Sequence, residues 1–184
     1  PDIVMVGEMR DAATAEMAVQ AALAGHLVFS APHTNDAPSA VSRLMELGVP
    51  SYLLNATLLG VLAQRLVRVL CPQCKQPDTQ TTSETLAGVM SPWKFSGSYK
   101  PYQAVGCEAC RMTGFKGRMG LYELLVSTSS LQQQINQSPS MEVLRRQAVQ
   151  DGMRPLRISG ALRVAEGLTT LSEVMAATPP ITQA

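Results

Sequence analysis

At 184 residues the chain can bury one sizeable core with a small satellite unit. Its formal net charge of +1 argues against wholesale nucleic-acid binding and leaves room only for a local basic strip. The composition is 46% hydrophobic and only 4% aromatic, so Ala, Leu, Val and Met must fill the core, and ten methionines point to an adaptable interior or to docking faces. No apolar run reaches the roughly 20 residues of a membrane-spanning helix and nothing reads as a signal peptide, so a soluble cytoplasmic protein is expected.

The first element is a short apolar run, Ile3 to Val6, closed by Gly7 and Glu8. A buried parallel strand looks this way when it delivers a carboxylate to the carboxyl edge of a sheet. Ligands of open α/β sheets sit at that edge, and in nucleotide hydrolases an acid there holds magnesium or its waters. A core strand ending in an ordinary solvated Glu is the competing reading. Asp11 to Ala24 reads as a helix, with Asp11 as N-cap, Met17, Val19 and Leu23 as apolar positions, and Gly25 as stop. His26 to Ala31 forms a second strand, ended by Pro32, which has no N–H to donate. His26 reads as structural; His33 follows the strand at the same sheet edge. Pro38 opens a helix that runs to about Leu47 and stops at Gly48, and Ser51 to Leu58 is helical again. Gly60 to Leu70 alternates like a strand, with helix as its rival. Arg65 and Arg68 on it either reach a nucleotide or neighbouring subunit or lie solvated on the surface.

Cys71 to Cys110 has a different character. It carries all four cysteines and the only Trp, around a Ser/Thr/Pro/Gly-rich middle from Gln76 to Lys100. Cys71-Pro-Gln-Cys74 and Cys107-Glu-Ala-Cys110 are two C-x2-C knuckles separated by 32 residues. Such a pair can place four thiolates tetrahedrally on one zinc ion with no open position, a structural site that staples an insertion too small for its own core. Disulfides, disfavoured in a reducing cytosol, and free buried cysteines are the alternatives. Lys116 and Arg118, within GFKGRMG, read as a tight turn presenting positive charge to an acidic partner or lipid headgroups. Met119 to Leu125 returns to a strand, and helices follow at Ser130–Gln137, Ser140–Asp151, Leu156–Glu166 and Leu171–Ala176, punctuated by Gly152, Pro155, Gly167 and Pro179-Pro180. Residues from Thr178 on are expected to fray.

Taken together, GEMRD, GHLVFSAPHTN, LGVLAQRLVRVLCPQC, GCEAC, GFKGRMGLYELL and GLTTLSEVM resemble the secretion ATPases that drive type II secretion and type IV pilus assembly. The resemblance covers essentially the whole chain. One departure lies in the "His box", where Ala31-Pro32 stands in place of the family's usual Thr-Leu. The resemblance implies the C-terminal half of a RecA-like P-loop NTPase with an incomplete α/β sheet, a small tetracysteine zinc insertion and a C-terminal helical bundle. It divides the chain into an ATPase core (residues 1–70), a zinc subdomain (71–118), a strand-and-helix subdomain (119–178) and a disordered tail (179–184).

It further implies that Glu8 closes the Walker B strand and is linked to magnesium, and that His33 senses the terminal phosphate by hydrogen bond or charge. Arg10 and Asp11 form an ion pair at the strand end or transmit nucleotide state to a neighbour. Arg65 stands as the candidate nucleotide contact with surface solvation as its alternative, and the resemblance has Cys71, Cys74, Cys107 and Cys110 hold zinc. The tetracysteine subdomain marks assembly and secretion motors rather than retraction motors. Expected cofactors are structural Zn2+ with ATP and Mg2+. Expected partners are identical subunits in a hexamer and the inner-membrane platform and adaptor proteins of the machine, at the cytoplasmic side of that membrane. The chain opens in mid-element and contains no GxxxxGK[ST] and no acidic "Asp box". It therefore reads as the C-terminal part of something larger and is expected to be inactive alone, with apolar sheet edge that invites aggregation or self-pairing. A non-enzymatic zinc-bearing interaction module, or a degenerate ATPase docking on a partner, is the rival reading. A nucleic-acid motor is disfavoured by the charge and by the lack of aromatic-basic interleaving.

Overall fold

Two short strands and the helix between them open the chain in the computed structural model, which describes residues 1–94, 97–137 and 139–180. β1 (Ile3–Met5) pairs in parallel with β2 (Leu27–Phe29), in the register Ile3↔Leu27, Val4↔Val28, Met5↔Phe29. α1 (Ala12–Leu23) makes the crossover. Asp11 caps it, its carboxylate accepting the Thr14 N–H at 2.8 Å, and Gly25, at φ +97°, turns the chain out of the helix. Two expectations need correction. The strands are not buried on both faces: Val4 and Val28 point inward, whereas Ile3, Met5, Leu27 and Phe29 are exposed, as the alternation of the pleat dictates when one face is covered. The helix buries Ala15, Ala18 and Val19 while Met17 and Leu23 face outward, because its alanine stripe allows the closer approach.

α2 (Ala37–Glu46) follows, capped by Asp36 with Pro38 in its first turn, then α3 (Ser51–Thr57) and the long β3 (Gly60–Leu70). The segment between the cysteine knuckles contains β4 (Gln76–Pro77), α4 (Ser83–Met90) and β5 (Tyr102–Gln103), the two strands pairing antiparallel. α4 forms despite its surroundings because Thr82 caps it and Leu86 and Met90, one turn apart, are both fully buried. β6 spans Phe115–Val126 and pairs with β3, so Lys116 and Arg118 lie exposed on a strand rather than on a tight turn. The last helices are α5 (Ser129–Asn136), α6 (Met141–Gln150), α7 (Leu156–Ala165) and α8 (Leu171–Ala177). Of the tail expected to fray, residues 181–184 lie outside the described residues.

Contacts group the chain into two compact units. One takes Pro1–Ala63 with Leu124–Met153, and the other takes Gln64–Glu123 with the described residues from Arg154 on. The boundaries read from sequence follow chain order, whereas this grouping follows packing. Within the first unit α1 packs on α3, α3 on α5, α5 on α6 and α6 on α2, around buried Val41, Leu54, Leu131, Ile135 and Leu144. Within the second, α4 packs on α7 and α7 on α8, around Leu86, Met90, Leu121, Leu156, Ile158 and Val174.

Gly160 is a closely packed point of the second core. A Cβ there would meet a Val174 methyl at 2.4 Å and Leu121 Cδ1 at 3.0 Å. Gly160→Ala should gain about 1 kcal/mol of helix propensity but lose about 1–3 kcal/mol to overpacking. A net fall in the urea midpoint is expected; an unchanged or higher midpoint would show that the contact relaxes freely.

Candidate functional site

The parallel ladder continues past the ends of its strands, and that continuation assembles the site. Val6 donates its N–H to the Phe29 carbonyl at 2.9 Å, and the Gly7 carbonyl accepts from the Ser30 hydroxyl at 2.7 Å and from the Ala31 N–H at 3.4 Å. Glu8 and His33, the residues just beyond, therefore emerge side by side. His33 Nε2 lies 3.2 Å from Glu8 Oε1, and Arg10 Nη2 lies 2.5 Å from Glu8 Oε2. The pair expected from sequence thus comes together at one edge. The Arg10–Asp11 ion pair does not form, because Arg10 turns to Glu8 and Asp11 is engaged as the helix cap.

Exposure divides the three side chains. Glu8 is 24% exposed, Arg10 75% and His33 82%. The hydrogen bond from Arg10 holds the Glu8 carboxyl below its usual range; partial burial opposes the shift, and the charges of Arg10 and His33 add to it. The same bond raises Arg10. The result is a carboxylate kept ionised at an accessible edge, beside an imidazole. That arrangement can serve a cation, through the acid, and an anionic oxygen, through the imidazole.

The segment carrying His33 is fixed by Asp36, which is only 6% exposed. Its Oδ1 accepts the Ser39 N–H at 2.9 Å and also the Ser39 hydroxyl. Its Oδ2 accepts from Arg145 Nε and Nη2 at 3.1 and 2.6 Å. Burial pushes the Asp36 carboxyl up, but the Ser39 and Arg145 bonds outweigh it and hold it below the usual range. Sequence reading missed both residues. Asp36 carried a legible signal, an N-cap residue two places before a helix-opening proline; Arg145, 109 positions away, carried none. Beside His33 lies a cleft of ≈ 310 Å³, walled by residues of the His33–Asn35 segment, α2 and Met141.

The remaining predicted residues lie in the second unit. Arg65 Nη1 donates to the Gln64 carbonyl at 3.0 Å. Arg68 is committed structurally: its Nη2 lies 2.5 Å from Glu173, and its guanidinium stacks 4.1 Å from the centre of the Phe115 ring. The four cysteines are free thiols whose sulfurs all lie within 4.8 Å of one another. Cys71 and Cys107 Sγ are 3.9 Å apart, Cys74 and Cys110 3.9 Å, and Cys107 and Cys110 3.8 Å. A tetrahedron of thiolates about 2.3 Å from a zinc ion has edges of about 3.8 Å, so the donor set fits a metal.

The backbone supports the same arrangement. The N–H groups of Gly106, Cys107 and Gly114 point at the sulfurs of Cys74, Cys110 and Cys110, at 3.3, 3.2 and 3.2 Å. Burial raises the Cys110 thiol, but the Cys107 and Gly114 N–H groups outweigh it and lower it to about 6; burial pushes Cys74 up to about 11. Gly114 is required where the knuckle closes, since a Cβ there would meet Ala104 Cβ at 2.6 Å.

A model of the family described as "Type II/IV secretion system protein" matches residues 1–176. The chain belongs to this family. Among its relatives, the type IV pilus assembly ATPase TfpB of Acinetobacter baylyi is 48% identical over 179 residues, which are 97% of this chain and 30% of that protein. Type II secretion system protein E of Aeromonas hydrophila is 43% identical over 178 residues, 97% of this chain and 35% of that protein. Among solved structures, the Legionella pneumophila ATPase DotB superposes with a TM-score of 0.60 at 18% identity, over 96% of this chain and 38% of that one. The expected α/β fold is the fold found, and it is shared with that solved structure. The chain spans about a third of the length of these relatives, and no helix among the described residues is long and apolar enough to cross a membrane.

The depressed Asp36 carboxyl sets a pH dependence. Its ionised form contributes fully above the ordinary carboxylate range, and the contribution is lost as pH falls through the lower folded value. Asp36→Asn should lower the urea midpoint near neutral pH and flatten its fall below about pH 4; a parallel pH profile in the variant would contradict the assignment.

Proposed function

We propose that the chain is the C-terminal part of the motor domain of a hexameric ATPase powering type II secretion or type IV pilus assembly. The observation that carries this reading is the contact of Glu8 and His33 at 3.2 Å, beyond the carboxyl ends of two parallel strands. Bound ATP supplies the phosphoanhydride and Mg2+ neutralises charge developing on its oxygens. Within this chain, Glu8 holds the metal or its waters and His33 contacts the terminal phosphate. Arg10 balances the Glu8 charge before the cation does so, and Arg65 serves nucleotide at a subunit boundary. Hydrolysis in the assembled motor moves an inner-membrane platform from the cytoplasmic side. The 184 residues contain no GxxxxGK[ST], so the chain alone is inactive: it lacks the lysine-bearing loop that cradles phosphates. In the motor that carries it, Glu8→Gln should lower ATP turnover by about 100-fold or more with oligomerisation retained. Turnover within a few-fold of the parent would remove Glu8 from the chemistry.

Cys71, Cys74, Cys107 and Cys110 hold a structural Zn2+ with no open position. The support is four free thiols whose sulfurs lie within 4.8 Å of one another and the backbone N–H groups directed at the Cys74 and Cys110 sulfurs. One zinc per chain is expected on metal analysis, lost in Cys110→Ser, with a lower thermal midpoint on chelation because metal and folding are linked. A metal-free protein whose midpoint ignores chelators would sink the assignment.

A further inference from the structure

The His33 ring is 82% exposed, so packing does little to hold it. Its aim toward Glu8 rests on the backbone that carries it, and that backbone is anchored at Asp36. The Thr34 hydroxyl donates to the Asp36 carbonyl at 3.2 Å, tying the residue after His33 to the buried acid. The Asp36 carboxylate is in turn gripped on Oδ2 by two nitrogens of Arg145, a half-buried side chain on α6. A second contact runs beside the first: the Ser42 hydroxyl of α2 lies 2.7 Å from the Met141 sulfur of α6. Met141 and His33 both line the same cleft.

We propose that Arg145 is a positioning residue for the Glu8–His33 pair, acting through Asp36. α6 packs on α5 and on α2, and the Arg145–Asp36 clamp ties α6 directly to the cap residue of the His33 segment, so a displacement of α6 is felt there. Fork geometry matters as well as charge, since Nε and Nη2 share one carboxylate oxygen; a lysine presents a single ammonium and cannot reproduce the grip. The inference rests on reading Glu8 and His33 as the nucleotide-facing pair, but the contact it concerns can be measured without nucleotide.

The chain has only two histidines, His26 and His33, and both belong to the first unit. In histidine-labelled protein each gives one set of imidazole NMR signals, assigned with His26→Gln. Glu8→Gln should move the His33 signals and spare His26. In an Arg145→Gln background the His33 signals should already be displaced, and the further effect of Glu8→Gln should shrink at least twofold. Asp36→Asn should reproduce this, the Asp36→Asn/Arg145→Gln double variant should add nothing, and Arg145→Lys should restore part of the wild-type response.

Arg163→Gln, which breaks the exposed pair with Glu166 in the second unit, serves as the control and should leave both histidines unmoved. If Arg145→Gln does not fold, Arg145→Lys and Asp36→Asn carry the same readout. His33 at its wild-type position in Arg145→Gln, with the full Glu8→Gln response intact, overturns the clamp alone. Histidines that shift together show only a general loosening and also overturn it. A His33 signal blind to Glu8→Gln in the wild-type background overturns both the clamp and the pair on which the functional reading stands.

Discussion

Three bonds at the end of a parallel ladder hold the candidate site together. The Phe29 and Gly7 carbonyls accept from Val6, Ser30 and Ala31, keeping two chains in step for a few residues beyond their last formal strand pair. Without that continuation Glu8 and His33 would leave the sheet independently, and no local bond would bring an acid and an imidazole to 3.2 Å. The strands themselves are three residues each, too short to fix side-chain aim without help. The ladder therefore brings the pair to one edge, and the Asp36 cap and α6 hold the segment that follows.

The second unit depends on a different constraint. Its interior is built where α4 and α8 pack on α7 and Gly160 of α7 approaches Leu121 of β6. The two-residue β4–β5 ladder adds little of its own. Four sulfurs brought within 4.8 Å draw Cys71 and Cys107 together across 36 positions of sequence. Lys75 adds to the closure, its ammonium donating to the Gly167 carbonyl at 2.8 Å and lying over the Tyr102 ring.

Much of this was legible in the sequence, and the reason differs from element to element. Asp11 and Gly25 bracket α1 by chemistry that acts locally, so that helix could be placed almost to the residue. The two cysteine knuckles could be paired by spacing alone. What escaped depended on distant partners. Met17 and Leu23 are apolar but face outward, because the closest approach is made by Ala15 and Ala18. α4 was hidden among Ser, Thr and Gly, because only its burial against α7 makes Leu86 and Met90 informative. GFKGRMG carries turn-like glycines, yet pairing with β3 extends it into β6. The Asp36–Arg145 pair was invisible for the same reason: half of it lies 109 residues downstream.

Glu8 and His33 facing a magnesium triphosphate is the claim on which the account turns. The most direct measurement is a structure of the motor carrying this chain, with Mg2+ and a non-hydrolysable ATP analogue. The account predicts the Glu8 carboxylate released from Arg10 onto the metal or one of its waters, and His33 Nε2 within hydrogen-bonding distance of a terminal phosphate oxygen. Nucleotide bound elsewhere, with Glu8 still held by Arg10 and His33 out of reach of any phosphate, would contradict it.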